Sequence, residues 1–88
     1  MKIFYNIQIW REGKMFVSYV PELDISSCGK TTEQARHNIE EAAELFLEEA
    51  KKIGTLKEIL QEAGFEKRGG EWDGPQFIAI EKKEVALV

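Results

Sequence analysis

The chain has 88 residues, of which 43% are hydrophobic, 10% aromatic and 32% charged. This composition is typical of one folded domain over residues 1–88 and excludes a disordered chain. The net charge of −4 disfavours nucleic acid as a partner of this chain alone, because binding to phosphates depends on clustered Lys and Arg. No apolar run approaches the about 20 residues of a membrane span, so we expect no membrane partner.

The start of the chain has the alternation of a strand rather than the continuous apolar run of a signal peptide. Apolar side chains recur at every second position from Ile3 to Ile9, with Asn6 and Gln8 between them. We therefore expect a cytoplasmic protein. The abundance of Glu and Lys beside only two Asn favours a thermophilic source.

Residues 3–10 and 15–20 predict a β-hairpin, since Gly13 can supply the positive φ that a tight turn needs. If residues 12 and 13 form the loop, the predicted register has these opposing pairs: Ile9 with Phe16, Ile7 with Ser18, and Tyr5 with Val20. The face that contains these residues is assigned to a covering helix, because the small side chain of Ser18 would let a helix approach closely.

The other face of this hairpin is unusually apolar for a surface in water. Its large side chains are Phe4, Trp10, Met15, Val17 and Tyr19. An exposed apolar patch of this kind often marks an interface. Three explanations stay open: binding of a partner, self-association into a dimer or larger homo-oligomer, and cover by the chain's own loop with Trp72.

Residues 31–52 predict a long amphipathic helix. Thr31 and Gln34 have the spacing of a capping box, and Gly54 can end the helix in the left-handed conformation. The predicted apolar stripe consists of Ala35, Ile39, Ala42, Ala43, Phe46, Ala50 and Ile53, with Leu45 and Leu47 at its edges. The opposite side carries Glu40, Glu44 and Glu48, which form either a solvated surface or an electrostatic attraction for a basic partner.

The remaining segments predict shorter elements. Residues 23–28 read as a third strand, and a second helix of about ten residues follows Gly54, with Thr55 as its cap and Gly64 as its end. Residues 66–75 predict a turn-rich loop and residues 76–81 a strand. Residues 85–88 are strongly apolar, so Val85 and Leu87 are expected either to join the chain's own sheet or to complete that of another subunit.

Catalytic and metal-binding arrangements are not indicated, and we expect no enzyme and no cofactor. Metal-dependent nucleases need clustered carboxylates, whereas the first strand has no acidic residue and Asp24 and Asp73 lie in unrelated segments. His37 lies between helix carboxylates, with no Ser or Cys placed to use it as a base. Cys28 has no Cys or His neighbour at metal-ligand spacing.

Several short segments between residues 16 and 50 resemble the HicB-like antitoxin family. They are residues 20–23 (VPEL), 29–31 (GKT), 32–35 (TEQA), 38–42 (NIEEA) and 45–47 (LFL). The resemblance covers about two-fifths of the chain. It implies an α+β, partial RNase H-like fold of the order β-β-β-α-(short α)-β, with a mostly antiparallel sheet, one helical layer and a final strand returning beside the first.

The resemblance also implies that the protein silences a small HicA-like ribonuclease toxin by covering its RNA-binding surface and catalytic His. An acidic chain suits a basic toxin, because opposite charge steers association. Many family members add a DNA-binding domain, and we expect none in this chain. The alternative is an orphan module of the same fold that self-associates and has an unassigned regulatory or structural role.

Overall fold

The computed structural model describes all 88 residues. Its elements are β1 (Lys2–Phe4), β2 (Gln8–Glu12), β3 (Met15–Val20), β4 (Ile25–Gly29), α1 (Thr32–Ile53), α2 (Leu56–Glu62), β5 (Glu66–Arg68) and β6 (Glu71–Asp73). They form two three-stranded sheets, with the orders β1-β6-β5 and β2-β3-β4. All strand pairs are antiparallel except β1 with β6. The predicted α+β class is therefore confirmed.

The β2–β3 hairpin turns one residue later than the sequence predicted. Its loop is Gly13 and Lys14, with Gly13 at a φ of 61°, so that Ile9 lies opposite Ser18 instead of Phe16. The predicted register was therefore wrong: each residue of β2 pairs with a residue of β3 two positions later than predicted. Because side chains alternate with a period of two, such a shift leaves each side chain on its predicted face.

The predicted first strand is interrupted at residues 5–7, and Pro21 explains the interruption. The β2–β3 register would bring Asn6 opposite Pro21, which has no N–H for the ladder. The N–H of Asn6 instead leaves the ladder and donates to a side chain: Glu22 Oε2 accepts hydrogen bonds from the backbone N of Asn6 at 3.0 Å and from Asn6 Nδ2 at 2.7 Å. β1 therefore pairs with β6 and β2 with β3.

The helix α1 lies very close to the inner face of the β2-β3-β4 sheet. Ser18 and Val20 are fully buried beneath it. At Gly29 a Cβ atom would stand only 2.6 Å from the backbone N of Ala35, so only glycine permits this approach. The third strand begins at Ile25 rather than Leu23, because Asp24 has a positive φ of 52° and still belongs to the turn.

The ends of α1 follow the predicted local chemistry. Thr31 Oγ1 accepts a hydrogen bond from the N–H of Gln34, and Gly54 ends the helix with a φ of 83°. The Gln34 side chain reaches the N–H of Lys30 at 2.9 Å, one residue before the position expected in a capping box. Thr55, in contrast, makes no side-chain capping bond to α2, so its predicted capping box was wrong.

The buried stripe of α1 differs from the predicted one at its C-terminal half. The buried residues are Ala35, Ile39, Ala43, Leu47 and Ala50. Phe46 and Ile53, which were predicted to be buried, are 38% and 65% exposed. The buried residues recur at about every fourth position of the helix, so Leu47 rather than Phe46 lies on its buried side.

The core has two parts along α1. Ile39 and Ala43 pack with Val20 under the β2-β3-β4 sheet. Leu47 and Ala50 pack with α2, Phe65 and Trp72, and the indole of Trp72 is buried as the centre of β6. Residues 66–75, predicted as a loop, therefore contain the β5–β6 hairpin, and β6 is the strand that returns beside β1.

Residues 74–88 contain no helix or strand. This corrects the predicted strand at residues 76–81, whose side chains find no partner strand within the chain. Ile78 and Ile80 are 85% and 84% exposed. Residues 85–88, which include Val85 and Leu87, do not join the chain's own sheet either. We call residues 74–88 the tail.

Candidate functional site

The β2-β3-β4 sheet has an outer face that no helix of the chain covers. We call the side chains of Trp10, Met15, Val17 and Tyr19 on this side the aromatic face. Trp10 and Val17 are directly opposite each other on β2 and β3, and Trp10 and Met15 are each more than one-third exposed. The structure thus brings four of the predicted interaction residues together on one surface.

Trp10 and Tyr19 form the centre of the aromatic face. Their ring centroids are 6.3 Å apart with an interplanar angle of 74°, an edge-to-face arrangement that stabilises both rings in one orientation. Trp10 Nε1 donates to Glu12 Oε1 at 3.2 Å, and the Tyr19 hydroxyl donates to Asp24 Oδ1 at 2.8 Å. The surface therefore has an apolar centre with a carboxylate beside each ring.

The environment of Tyr19 keeps its hydroxyl protonated. The hydrogen bond to Asp24 raises the pKa of Tyr19 above its ordinary value, with smaller contributions from burial and from the charge of Asp24. Asp24 and Glu12 place negative charge at the rim of the aromatic face, where cationic groups of a partner could bind.

The structure separates Phe4 from the aromatic face, although Phe4 was predicted to belong to that face. Phe4 belongs to β1 in the other sheet, and it lines a 690 Å³ groove with Arg68, Asp73 and the beginning of the tail. The interruption of the first strand causes this separation. Val85 and Leu87 lie in the tail, 78% and 90% exposed, and they are not held against the aromatic face by any strand pairing.

The predicted acidic residues of α1 lie elsewhere. Glu40, Glu44 and Glu48 line a second groove of 360 Å³ between α1 and β1, with Ile3, Tyr5 and Leu47 as its apolar lining. Because α1 covers the inner face of the sheet, this acidic wall lies away from the aromatic face. Burial raises the pKa of Tyr5, and the negative charges of Glu40 and Glu44 raise it further.

Sequence reasoning missed three residues at or beside the aromatic face. Glu12 could have been found, since residues 10 and 12 of one strand share a face. Asp24 reaches Tyr19 only through its positive φ, for which the sequence has no clear signal. Cys28 is exposed and stands opposite Val17 on β4; its free thiol has no disulfide partner in this chain.

No group of three His, Cys, Asp or Glu side chains is placed to hold a metal ion. His37 Nε2 lies 3.5 Å from Glu41 Oε2 on the exposed side of α1. Neither helix has the length and apolar character required to cross a membrane.

A scan against protein-family models, a search of curated proteins and a search of solved structures each found no match.

Proposed function

We propose that this protein is a non-enzymatic, cytoplasmic binding protein that neutralises a small basic HicA-like ribonuclease toxin by direct contact. The observation that carries the proposal is the aromatic face, a set of large side chains left open to solvent on one side of a sheet. Trp and Tyr at the centre of a patch are the residue types that contribute most to protein–protein binding.

The rigidity of the aromatic face supports this proposal. Trp10 and Tyr19 are fixed by their mutual packing and by hydrogen bonds to Glu12 and Asp24. Side chains that are ordered before binding lose less conformational entropy when the complex forms. The paired strands beneath them are held by α1, so a partner meets a prepared surface.

The charge distribution supports a basic partner. The chain carries a net charge of −4, and the carboxylates of Glu12 and Asp24 flank the two aromatic rings. A ribonuclease that holds phosphates needs a positive surface. Opposite charges accelerate association, and the more distant Glu40, Glu44 and Glu48 add to the attraction without forming part of the contact.

The arrangement of the strands is compatible with the proposed partial RNase H-like fold. An antiparallel hairpin is followed by a third strand and then by a long helix across one face, and β6 runs parallel to β1. The return strand is short and joins only residues 2–4 of the first stretch. The fold assignment therefore belongs to the proposal and rests on the order of elements.

Co-expression tests this function. A tagged form of this chain is expressed with the product of the adjacent reading frame, provided that this product is small and basic. We expect the two proteins to co-purify and the neighbour to inhibit growth when it is expressed alone. A neighbour that neither binds nor inhibits growth would remove the antitoxin proposal.

A matched pair of variants locates the contact. Trp10→Lys changes the centre of the aromatic face, whereas Leu45→Lys changes a residue of α1 that is 67% exposed on the other side of the sheet. We expect only Trp10→Lys to abolish co-purification and rescue of growth. Equal binding by both variants would move the contact away from the aromatic face.

A self-associating module without a toxin is the second candidate, because the open aromatic face offers the same apolar surface to a second copy of the chain. Sedimentation of the purified chain separates the candidates. Trp10→Lys should leave its mass unchanged if the aromatic face serves a toxin, and should dissociate an oligomer if that face joins copies of the chain.

A further inference from the structure

The tail carries a strand-like sequence away from the body of the protein. Ile78 and Ile80 alternate with Phe77 and Ala79, and none of the four belongs to a strand. The radius of gyration is 15.3 Å and the longest dimension 49 Å, whereas a compact domain of this length has a radius of about 12 Å. The apolar side chains of residues 76–81 are thus available to another surface.

The first stretch of the chain provides an open edge for such a strand. β1 and β2 each lie at the end of their sheet. The Phe4 carbonyl accepts from Gly74 N, and the Asn6 N–H donates to Glu22, so these even-numbered groups face the β6 and β3 side. Since successive backbone groups of a strand point to opposite edges, those of Ile3 in β1 and of Ile9 in β2 point to the open side.

The groove beside this edge has an apolar lining and an acidic wall. Its apolar lining includes Ile3, Tyr5 and Leu47. A strand added to the edge would place the side chains of Ile78 and Ile80 on this side, because they share one face of the tail. Lys82 follows directly and can meet the acidic wall formed by the glutamates of α1, whereas Lys83 pairs with Glu81 at 3.3 Å.

The beginning of the tail lies on the wrong side of β1 for the tail to reach this edge within one chain. Gly74 N donates to the Phe4 carbonyl at 2.8 Å, and Asn6 Nδ2 donates to the Pro75 carbonyl at 3.0 Å. Both contacts lie on the closed side. The tail would have to cross the sheet to reach the open side of its own chain, whereas it can approach a second copy directly.

We propose that residues 76–81 of one copy pair with the open β1–β2 edge of a second copy, and that the two copies exchange their tails reciprocally. Such β-strand addition uses the unpaired backbone groups of an edge and buries alternate side chains, and reciprocal exchange closes a twofold dimer. The proposal goes beyond the antitoxin function and stands on the tail and the edge alone.

Two variants that complement each other test the exchange. Ile9→Pro removes a backbone N–H from the open edge, where proline is tolerated, and leaves the tail intact. The double variant Ile78→Lys/Ile80→Lys disables the tail and leaves the edge intact. In sedimentation velocity, wild type should have twice the 10.1 kDa mass of the chain, and each variant alone should be monomeric. An equimolar mixture can form one of the two exchanged strands and should regain dimers as its concentration is raised.

Val88→Lys serves as the matched control, since it adds a charge to the tail beyond the pairing segment and should leave the dimer intact. Circular dichroism verifies the helix content of each variant, and Ile9→Lys replaces Ile9→Pro if the proline variant loses it. A monomeric wild type, or a mixture of variants that stays monomeric, would overturn the exchange without affecting the test of toxin binding.

Discussion

The two faces of the β2-β3-β4 sheet come from the same alternating sequence and differ in what they do. The inner face presents Ser18 and Val20, both fully buried, and α1 lies directly upon it. The outer face presents Trp10 and Tyr19 in the same strands, with no cover. Packing against α1 thus explains the side chains of the inner face, whereas no packing within the chain explains the large side chains of the outer face.

Side-chain size explains which face the helix covers. Gly29 allows the backbone of α1 to lie within contact distance, and Ser18 leaves room in the strand beside it. A helix over the outer face would meet Trp10 and Tyr19, which are too large for so close an approach. The comparison predicts that inner-face changes alter stability and outer-face changes alter binding.

The largest effect on stability is expected from Ile39→Ala in the inner core. Ile39 is fully buried and packs with Val20 and Ala43, so that truncation leaves a cavity and should cost about 2–5 kcal/mol. Val17→Ala on the outer face should cost less than about 1 kcal/mol. Urea unfolding followed by circular dichroism measures both, and equal losses would contradict the division between the faces.

A smaller loss is expected from Gly29→Ala. The new Cβ would stand 2.6 Å from Ala35 N and 2.7 Å from Gln34 Cβ, so α1 must shift at its first turn, at a cost of about 1–3 kcal/mol. Cys28→Ala is the matched control, because the neighbouring Cys28 points to the outer face. Thermal unfolding should show a lower midpoint for the glycine variant alone; an unchanged midpoint would mean that α1 can move away freely.

The smallest effect concerns tyrosine ionisation. Burial raises the pKa of Tyr5, with further contributions from Glu40 and Glu44, and the group is neutral below that pKa. Its contribution to stability is therefore fully present below the ordinary pKa of about 10 and is lost as the pH rises through the pKa of the folded state.

Tyrosinate absorbance during alkaline titration measures this effect. Glu40→Gln with Glu44→Gln should lower the pKa of Tyr5 toward its ordinary value, while that of Tyr19 stays raised because its hydrogen bond to Asp24 is unchanged. Tyr5→Phe and Tyr19→Phe assign the two transitions. If the pKa of Tyr5 is unchanged in the double variant, Glu40 and Glu44 lie too far from the Tyr5 hydroxyl to influence it, which would contradict this arrangement of the groove.

Sequence reasoning was most successful where local chemistry decides the structure. The long helix, its Thr31 cap and its Gly54 end depend on neighbouring residues, and the two hairpin faces depend only on a period of two. The register was missed because Gly13 can occupy either position of the loop. The buried side of α1 was missed at Phe46 because its packing depends on where α2 and β6 lie.

Distant partners account for the other errors. The alternation in residues 76–81 predicts that a strand can form but does not show which edge will receive it. The β5–β6 hairpin was hidden by its charged, glycine-rich sequence. Trp72, which was one of the alternatives for covering the aromatic face, is instead buried in the core. Most of the aromatic face was predictable from alternation, whereas the separation of Phe4 depends on Pro21 and Glu22.

The most direct test of the central claim is the affinity of the aromatic face for the basic toxin, measured by isothermal titration calorimetry. Truncation or charge at a central Trp commonly costs at least about 2 kcal/mol of binding free energy, which is about 30-fold in Kd. We expect Trp10→Lys to weaken binding by at least about 30-fold and Leu45→Lys to leave it within about twofold. Unchanged affinity of Trp10→Lys, with its fold intact by circular dichroism, would contradict the account.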